Sequence, residues 1–566
     1  MVYMGHMRFL PRYHPYRNMK KNFNGHRDTA RPPEHPTGTY VHNLVMGITN
    51  EFGKKRKAVK AKDKSMWKKK SIFWRLPYWK DLEVRHCIDL MHVEKNVCES
   101  LMGLLLNPGI TKDGLNARRD LQDMGIRLEL HPVTTESGRV YLPPACYTLS
   151  KDEKMNLLTC LSGIKVPSGY SSRISRFVSL QDLKLVGMKS HDCHVLITQL
   201  LSVVIRNILP PKVRYTIMRL YSFFHAIGQK IIDLEGLDEL QAEIVRTLCH
   251  LEMVFVRNRS HPEGSIIESY TSEEVIDFCV DYMSETSSIG LPRSHHEVRL
   301  DSVGTVGRKI IRMDRKVYDK AHFTVLTHMT EVASYVDEHL GFLRHENPGR
   351  SDSWVRNKHM SSFNEWFKNR ITNEQNLSSE TLKWLSQGPE WSATTWQGYD
   401  INGYTFHTMK QDSKCTVQNS GLRIEAGTDD GGRRDQYYGR VEQILELDYL
   451  KFKVPLFRCR WVDLRNVKVD TEGFTTVNLA NNAYKDEPFV LAKQVVQIFY
   501  ILDPCNKNLH VVHEGKRRIV GLNNITDEDD YNQHVHGIAQ EIPLEEEEAE
   551  DDVQHARVDH EEGLFL

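Results

Sequence analysis

The period of the apolar pattern changes near residue 395, and no other feature restricts the fold as tightly. Before that point apolar residues recur three and four positions apart. Leu90, Val93, Val97, Leu101 and Leu104 form one such series, Val213, Ile217, Leu220 and Phe224 another, and Leu240, Ile244, Leu248 and Leu251 a third. That spacing lines one side of an α-helix. Beyond Gly398 the pattern becomes alternating, in Gly403–Thr408, Tyr438–Leu445, Lys453–Val462 and Val495–Leu502, as in half-buried strands. Helices first and strands later, in a chain of 566 residues, predict an α+β multidomain protein.

Local chemistry sets the helix bounds. A first helix is predicted from Ile88 to Leu106, stopped by Asn107-Pro108-Gly109, and a second from Lys112 to Met124, stopped by Gly125. His194–Leu209 is almost continuously apolar and reads as a buried helix ended by Pro210-Pro211, with Ser190 and Asp192 as N-terminal caps. Lys212–Ile227, Leu237–Met253 and a helix opened by Ser272 follow across short loops, which argues for a compact bundle. A further helix is expected at Ala321–Phe342.

The chain divides accordingly. Residues 1–135 contain a basic segment, 136–300 form a mainly helical domain, 301–394 a linker with helices, 395–520 a small β-rich domain, and 521–566 an acidic tail. The tail includes EEEEAEDD at Glu545–Asp552 and is expected to be disordered. Phe457, Trp461, Phe489, Phe499 and Tyr500 are the expected core of the β-rich domain.

Lysine and arginine together number 75, as do aspartate and glutamate, so net charge alone selects no partner. The ten cysteines include no CxxC pair, which argues against a zinc ribbon or disulfide framework and for a reducing, intracellular setting. No run approaches ~18 apolar residues, so no membrane span is expected.

Several long strings match one family: MWKKKSIFWRLPYWKDLEVRHCIDLMHVEKNVCESLMG (Met66–Gly103), KDGLNARRDLQDMGIRLELHP (Lys112–Pro132), KVPSGYSSRISRFVSLQDLKLVGMKSHDCHVLITQLL (Lys165–Leu201), VRNRSHPEGSIIESYTSEEVIDFC (Val256–Cys279) and YYGRVEQILELDYLKFKVPLFRCRWVD (Tyr437–Asp463). Together they resemble the transposase family of plant CACTA (En/Spm-type) transposons. The resemblance implies an RNase-H-like domain whose acidic side chains hold two Mg²⁺ or Mn²⁺ ions for phosphodiester chemistry. It also implies DNA (transposon ends) as partner, an oligomeric assembly, a nuclear location and no small-molecule cofactor. Set against the family, the chain reads as N-terminally truncated, so that residues 1–135 keep only a C-terminal remnant of the transposase domain. It also reads as internally deleted near 253/254. A protein inactive as a nuclease on its own is therefore expected, one that retains DNA binding; the alternative is a non-catalytic protein-interaction scaffold of transposon origin.

Two groups of residues are candidates for function. Asp89 and His92 have the Asp-x-x-His form of the corresponding family helix, and with Asn96 and Glu99 they share one helix face. They are vestigial catalytic candidates; the same spacing equally describes the wet side of an amphipathic helix. Which side chains would hold metal stays open. The cationic run from Lys54 to Lys70 includes Lys54, Lys55, Arg56, Lys57, Lys68, Lys69 and Lys70, and reads as a DNA-phosphate site with Trp67, Trp74 and Trp79 available for stacking. A nuclear-import patch or a solvated basic loop is equally consistent with these residues. His191 and His194 suggest metal ligands, but no second Cys/His pair lies near them and the cap reading of Asp192 is stronger. Lys212 and Arg214 read as surface cations.

Overall fold

The computed structural model describes residues 12–13, 29–31, 37–48, 72–82, 90–106, 113–170, 173–228, 236–237, 239–244, 247, 302–373, 379–428, 434–470, 472–515, 517 and 555–565. They contain both helices and sheets, so the fold is mixed α+β. The chain forms two compact units: Met1–Thr148 with Asp233–Ser288 and Val553–Leu566, and Leu149–Ile232 with Ile289–Asp552.

In the first unit, α1 (Gly38–Val45) is capped by Thr37, whose hydroxyl accepts a hydrogen bond from the Tyr40 amide at 3.3 Å. Helices α2 (Leu90–Leu106) and α3 (Leu115–Met124) follow. Gly125 ends α3 in the left-handed conformation, φ 69°, as its sequence position predicts. The polar face of α2 is also as predicted, with His92, Asn96 and Glu99 exposed. Of the expected stripe Leu101 and Leu104 are buried, while Leu90, Val93 and Val97 are half-buried; Glu94, Cys98, Met102, Leu105 and Leu106 complete the buried side. Strands β1 (Val133–Thr134) and β2 (Val140–Leu142) form a sheet with the strand Leu564–Phe565. Arg118 lies beneath, fully buried, its guanidinium paired with Asp113 through Nη2 at 2.8 Å; Asp113 also accepts a 2.7 Å bond from Tyr147.

One expectation is corrected in this unit. Residues 555–565 are not part of a disordered tail: Leu564 and Phe565 pair with β2, Ala556 bridges Ala145, and the buried Arg557 donates to the Thr148 carbonyl at 3.3 Å. A strand edge offers unpaired amides and carbonyls, and this segment satisfies them. Of the span 1–135, where the C-terminal remnant of an RNase-H-like domain is expected, the described residues hold one strand, β1.

The second unit joins regions that the pattern separates. Helix α4 (Lys151–Gly163) starts with a capping box, Ser150 and Glu153 each accepting the other's backbone amide proton. Helix α5 (Ser190–Val195) passes through a π-helical turn, Leu196–Leu200, into α6 (Leu201–Val204). The predicted apolar helix is thus present, but wider-wound in the middle and ending five residues before Leu209. Helix α7 (Pro211–Ile227) has Pro211 at its first position, where the missing amide is harmless. A short hairpin, β3 (Val178–Ser179) and β4 (Lys184–Leu185), lies between α4 and α5.

Beyond residue 302 come β5 (Val303–Val306), β6 (Lys309–Arg312), α8 (Arg315–Thr327), α9 (Ala333–Glu346), α10 (Asp352–Thr372) and α11 (Glu380–Gln387). The single helix expected at Ala321–Phe342 is two, broken at Thr327–Val332. Strands β7 (Ser392–Trp396), β8 (Gly398–Ile401), β9 (Tyr404–His407), β10 (Gly421–Thr428), β11 (Arg434–Asp448), β12 (Lys453–Val462), β13 (Val467–Val469), β14 (Thr475–Val477), β15 (Asn482–Ala483), β16 (Phe489–Leu491), β17 (Val496–Leu502) and β18 (His510–Glu514) complete the unit.

Its main sheet runs β13-β14-β18-β17-β10-β11-β12-β15. The long strand β11 pairs with β10 along its first half and with β7 along its second, and β12 pairs with it from Gly439 to Asp448. A bulge between Val441 and Gln443 leaves Glu442 as the extra residue; such an insertion bends a strand and raises its twist. At the crossing, Gly439 faces Trp461, whose ring would lie 2.8 Å from a Cβ at that position.

Apolar residues of β11 go to opposite sides of the sheet. Ile444 joins Phe406, Phe457 and Trp461, whereas Leu445 and Leu447 pack with Val325, Phe363, Phe367 and Leu385 of the helices. The segment 301–394 is therefore no linker: α8, α10 and α11 share a core with the sheet. The predicted β-core residues Phe457, Trp461, Phe489, Phe499 and Tyr500 are all buried.

Three histidines are buried in the helical layer. His322 Nδ1 is 2.9 Å from the Tyr449 hydroxyl, and His339 and His359 bring their Nδ1 atoms within 2.7 Å. Only one nitrogen of such a pair can carry the intervening proton, so the accepting ring is neutral. Burial lowers the pKa of His322 to about 3. Burial, reinforced by His339, lowers that of His359 to about 4.

Candidate functional site

His92 occupies the exposed face of α2, within its first turn. Asp89 lies outside the described residues, as do Lys54, Lys55, Arg56, Lys57, Lys68, Lys69 and Lys70. Among the described residues no group of three or more His, Cys, Asp and Glu side chains is arranged to hold a metal ion. Lys189, not Ser190, is the N-cap of α5, and Asp192 within its first turn accepts the Lys189 amide at 2.9 Å, the returning half of a capping box.

The region that follows the basic run in sequence is described, and it presents rings to solvent. Two short 3₁₀ turns, Ile72–Arg75 and Pro77–Lys80, are separated by Leu76, held extended (φ −72°, ψ 131°) as a residue before proline prefers. The α1 helix packs against them so closely that a Cβ on Gly38 would sit 2.6 Å from the Leu82 carbonyl oxygen. Within this frame Trp74 meets His42 with ring centroids 5.4 Å apart, and Trp79 stacks against Phe73 at 5.1 Å and 26°. Both tryptophans are half-buried. The exposed rings are Phe73 and Tyr78, at 53% and 57%. Tryptophan content pointed to this stretch in the sequence; which rings face outward depends on the Leu76-Pro77 break and on α1.

In the second unit buried charge is used differently. Arg206 donates through Nε to Asp470 at 2.7 Å and through Nη1 to Asp503. Asp470 also accepts the amides of Glu472 and Phe474, and Asp503 those of Cys505 and Asn506. Arg214 is no surface cation, since it pairs with the buried Glu472. Burial raises the pKa of Glu472, with Arg214 opposing. Asp412 accepts the amides of Asn419 and Ser420 at 2.9 and 2.7 Å. The Lys165 ammonium donates to the carbonyls of Asp412 and Cys415, and the Ser168 amide donates to Asn419. Tyr170 donates to the Glu514 carbonyl at 2.9 Å. Asp470, Asp503 and Glu472, together with the Asn419 side chain and the backbone carbonyls of Asp412, Cys415 and Glu514, fasten the segment 149–228 to the sheet and its loops. A carboxylate saturated by guanidinium and amide donors is a structural clamp, and Asp470 and Asp503 are of that kind.

A family model described as a domain of unknown function (DUF4216) matches residues 445–512, from the second half of β11 into β18. This domain is found in plant transposase-like proteins, so that part of the chain is similar to transposon-related proteins. No curated protein and no solved structure matches. Among the described residues no helix is long and apolar enough to cross a membrane.

Proposed function

We propose that this chain is a DNA-binding protein derived from CACTA-type (En/Spm) transposases, acting in the nucleus and without nuclease activity of its own. The observation that carries the reading is the exposed aromatic face at residues 72–80, which directly follows the densest cationic run of the sequence. Lysines contribute affinity through phosphate neutralisation, and rings contribute by stacking on bases. The DUF4216 match supports the transposon origin. The buried acids of the second unit, tied to arginines and amides, support a structural role for that unit. Asp89 and His92 stand as vestiges of a centre for which Mg²⁺ or Mn²⁺ would serve in an intact family member.

The alternative is a protein-interaction scaffold, favoured by how firmly the clamps join helices and sheet within the second unit. DNA binding by the purified chain across a salt series, with Mg²⁺ or Mn²⁺ and a parallel nicking assay, separates the two. Salt-sensitive binding without nicking is expected. Neutralising Lys54–Lys57 and Lys68–Lys70 flattens the slope of log affinity against log salt by about 0.7–0.9 for each phosphate that is no longer neutralised. Metal-dependent nicking that disappears in Asp89→Ala overturns the inactivity, and absence of binding favours the scaffold.

A further inference from the structure

We propose that the face formed by the two 3₁₀ turns binds single-stranded nucleic acid, with unpaired bases stacking on Phe73 and Tyr78 and the phosphates meeting Arg75 and Lys80. This rests on the DNA-binding reading above and specifies the form of the ligand.

Three observations carry it. First, the exposed residues are of the right kind: Ile72, Phe73 and Tyr78 are each more than half exposed, and Arg75 and Lys80 are exposed beside them. Each such apolar side chain left in water forgoes the free energy of burial, so an exposed set of them marks a contact surface. Second, the face is stiff. Trp79 supports Phe73 from one side, Leu76-Pro77 fixes the turn between the two rings, and Gly38 allows α1 to brace the backbone at residues 80–82. A ring already held in place loses little freedom when a base lands on it. Third, the charge favours a polyanion: from Ile72 to Asp81 the charged residues are Arg75, Lys80 and Asp81, and Lys68–Lys70 directly precede them in sequence. Aromatic rings with interleaved cations suit a strand whose bases are unstacked, because a duplex hides its base faces. An apolar protein partner would gain nothing from the cations.

The test uses the full chain and two labelled probes, an oligothymidylate of about 16 nucleotides and a duplex of equal length, read by fluorescence anisotropy at one salt concentration. Phe73→Leu/Tyr78→Leu keeps apolar bulk but removes both π-faces. It should lower affinity for the single strand about tenfold or more and leave duplex affinity within about twofold. Phe73→Tyr/Tyr78→Phe retains the rings and should bind as the parent does, which separates stacking from damage to the fold. Unchanged single-strand affinity in the leucine variant overturns the stacking site while leaving the DNA-binding reading intact. Equal losses for both probes, or failure of the ring-retaining variant to bind, also overturn it. Binding of neither probe by the parent chain overturns both readings.

Discussion

Residues 72–80 of the first unit and the core of the second treat the same residue types in opposite ways. In the second, Phe363, Phe367, Phe457 and Phe499 are fully buried, whereas in the first Phe73 and Tyr78 lie more than half in solvent. The second unit draws stability from each ring, about 1.5–3 kcal/mol apiece. At residues 72–80 that free energy stays available for a partner. Cations differ in the same sense: Arg206 and Arg214 are enclosed with their acids, and Arg75 and Lys80 are exposed. Composition does not separate a stabilising residue from a recognising one; the neighbours do.

Breaking a clamp should have the largest effect. Arg206→Met leaves Asp470 and Asp503 without their shared guanidinium and should destabilise the second unit by about 3–5 kcal/mol in chemical denaturation. Acid should act next. His359 has a folded pKa of about 4 against an ordinary value of 6.5, so the unfolded chain takes the proton first. Its contribution is complete above pH 6.5 and is lost as pH falls toward 4, by about 2–3 kcal/mol. His359→Phe should flatten the stability profile across that window. Gly439→Ala forces Trp461 to shift and should cost about 1–3 kcal/mol, visible as a lower Tm. Ser150→Ala removes the hydroxyl half of the α4 capping box and should cost about 1 kcal/mol. At the other extreme, Phe73→Leu/Tyr78→Leu should cost no more than about 1 kcal/mol, the worth of the lost Phe73–Trp79 stack, despite its effect on binding. A large loss there would mean that these rings are core, and the contrast between the units would fail.

Much of this organisation was legible because period and caps are local signals. The change of pattern near residue 395 marks real strands, Lys212–Ile227 is a helix within one residue of its expected start, and Gly125 and Asp192 act at the predicted ends. What was not legible depends on distant partners. No local signal shows that α8, α10 and α11 supply half of a core whose other half is Leu445 and Leu447, or that Arg214 meets Glu472. Residues 555–565 follow an acidic stretch and share its polarity, so their pairing with β2 could be recognised only once that strand's edge was known. The candidate site was half legible: tryptophans drew attention to 67–79, yet the outward rings are Phe73 and Tyr78, because Trp74 and Trp79 are held against His42 and Phe73.

The Arg206 clamp also bears on how the protein is made. Arg206 is separated from Asp503 by 297 positions. At about 5–20 residues per second, a ribosome exposes the arginine roughly 15–60 s before its second acid exists. During that interval the apolar helices from α5 to α7 have neither the sheet nor its charges to close over them. The nascent segment should therefore be a strong client for chaperones, released when β17 and the turn after it emerge.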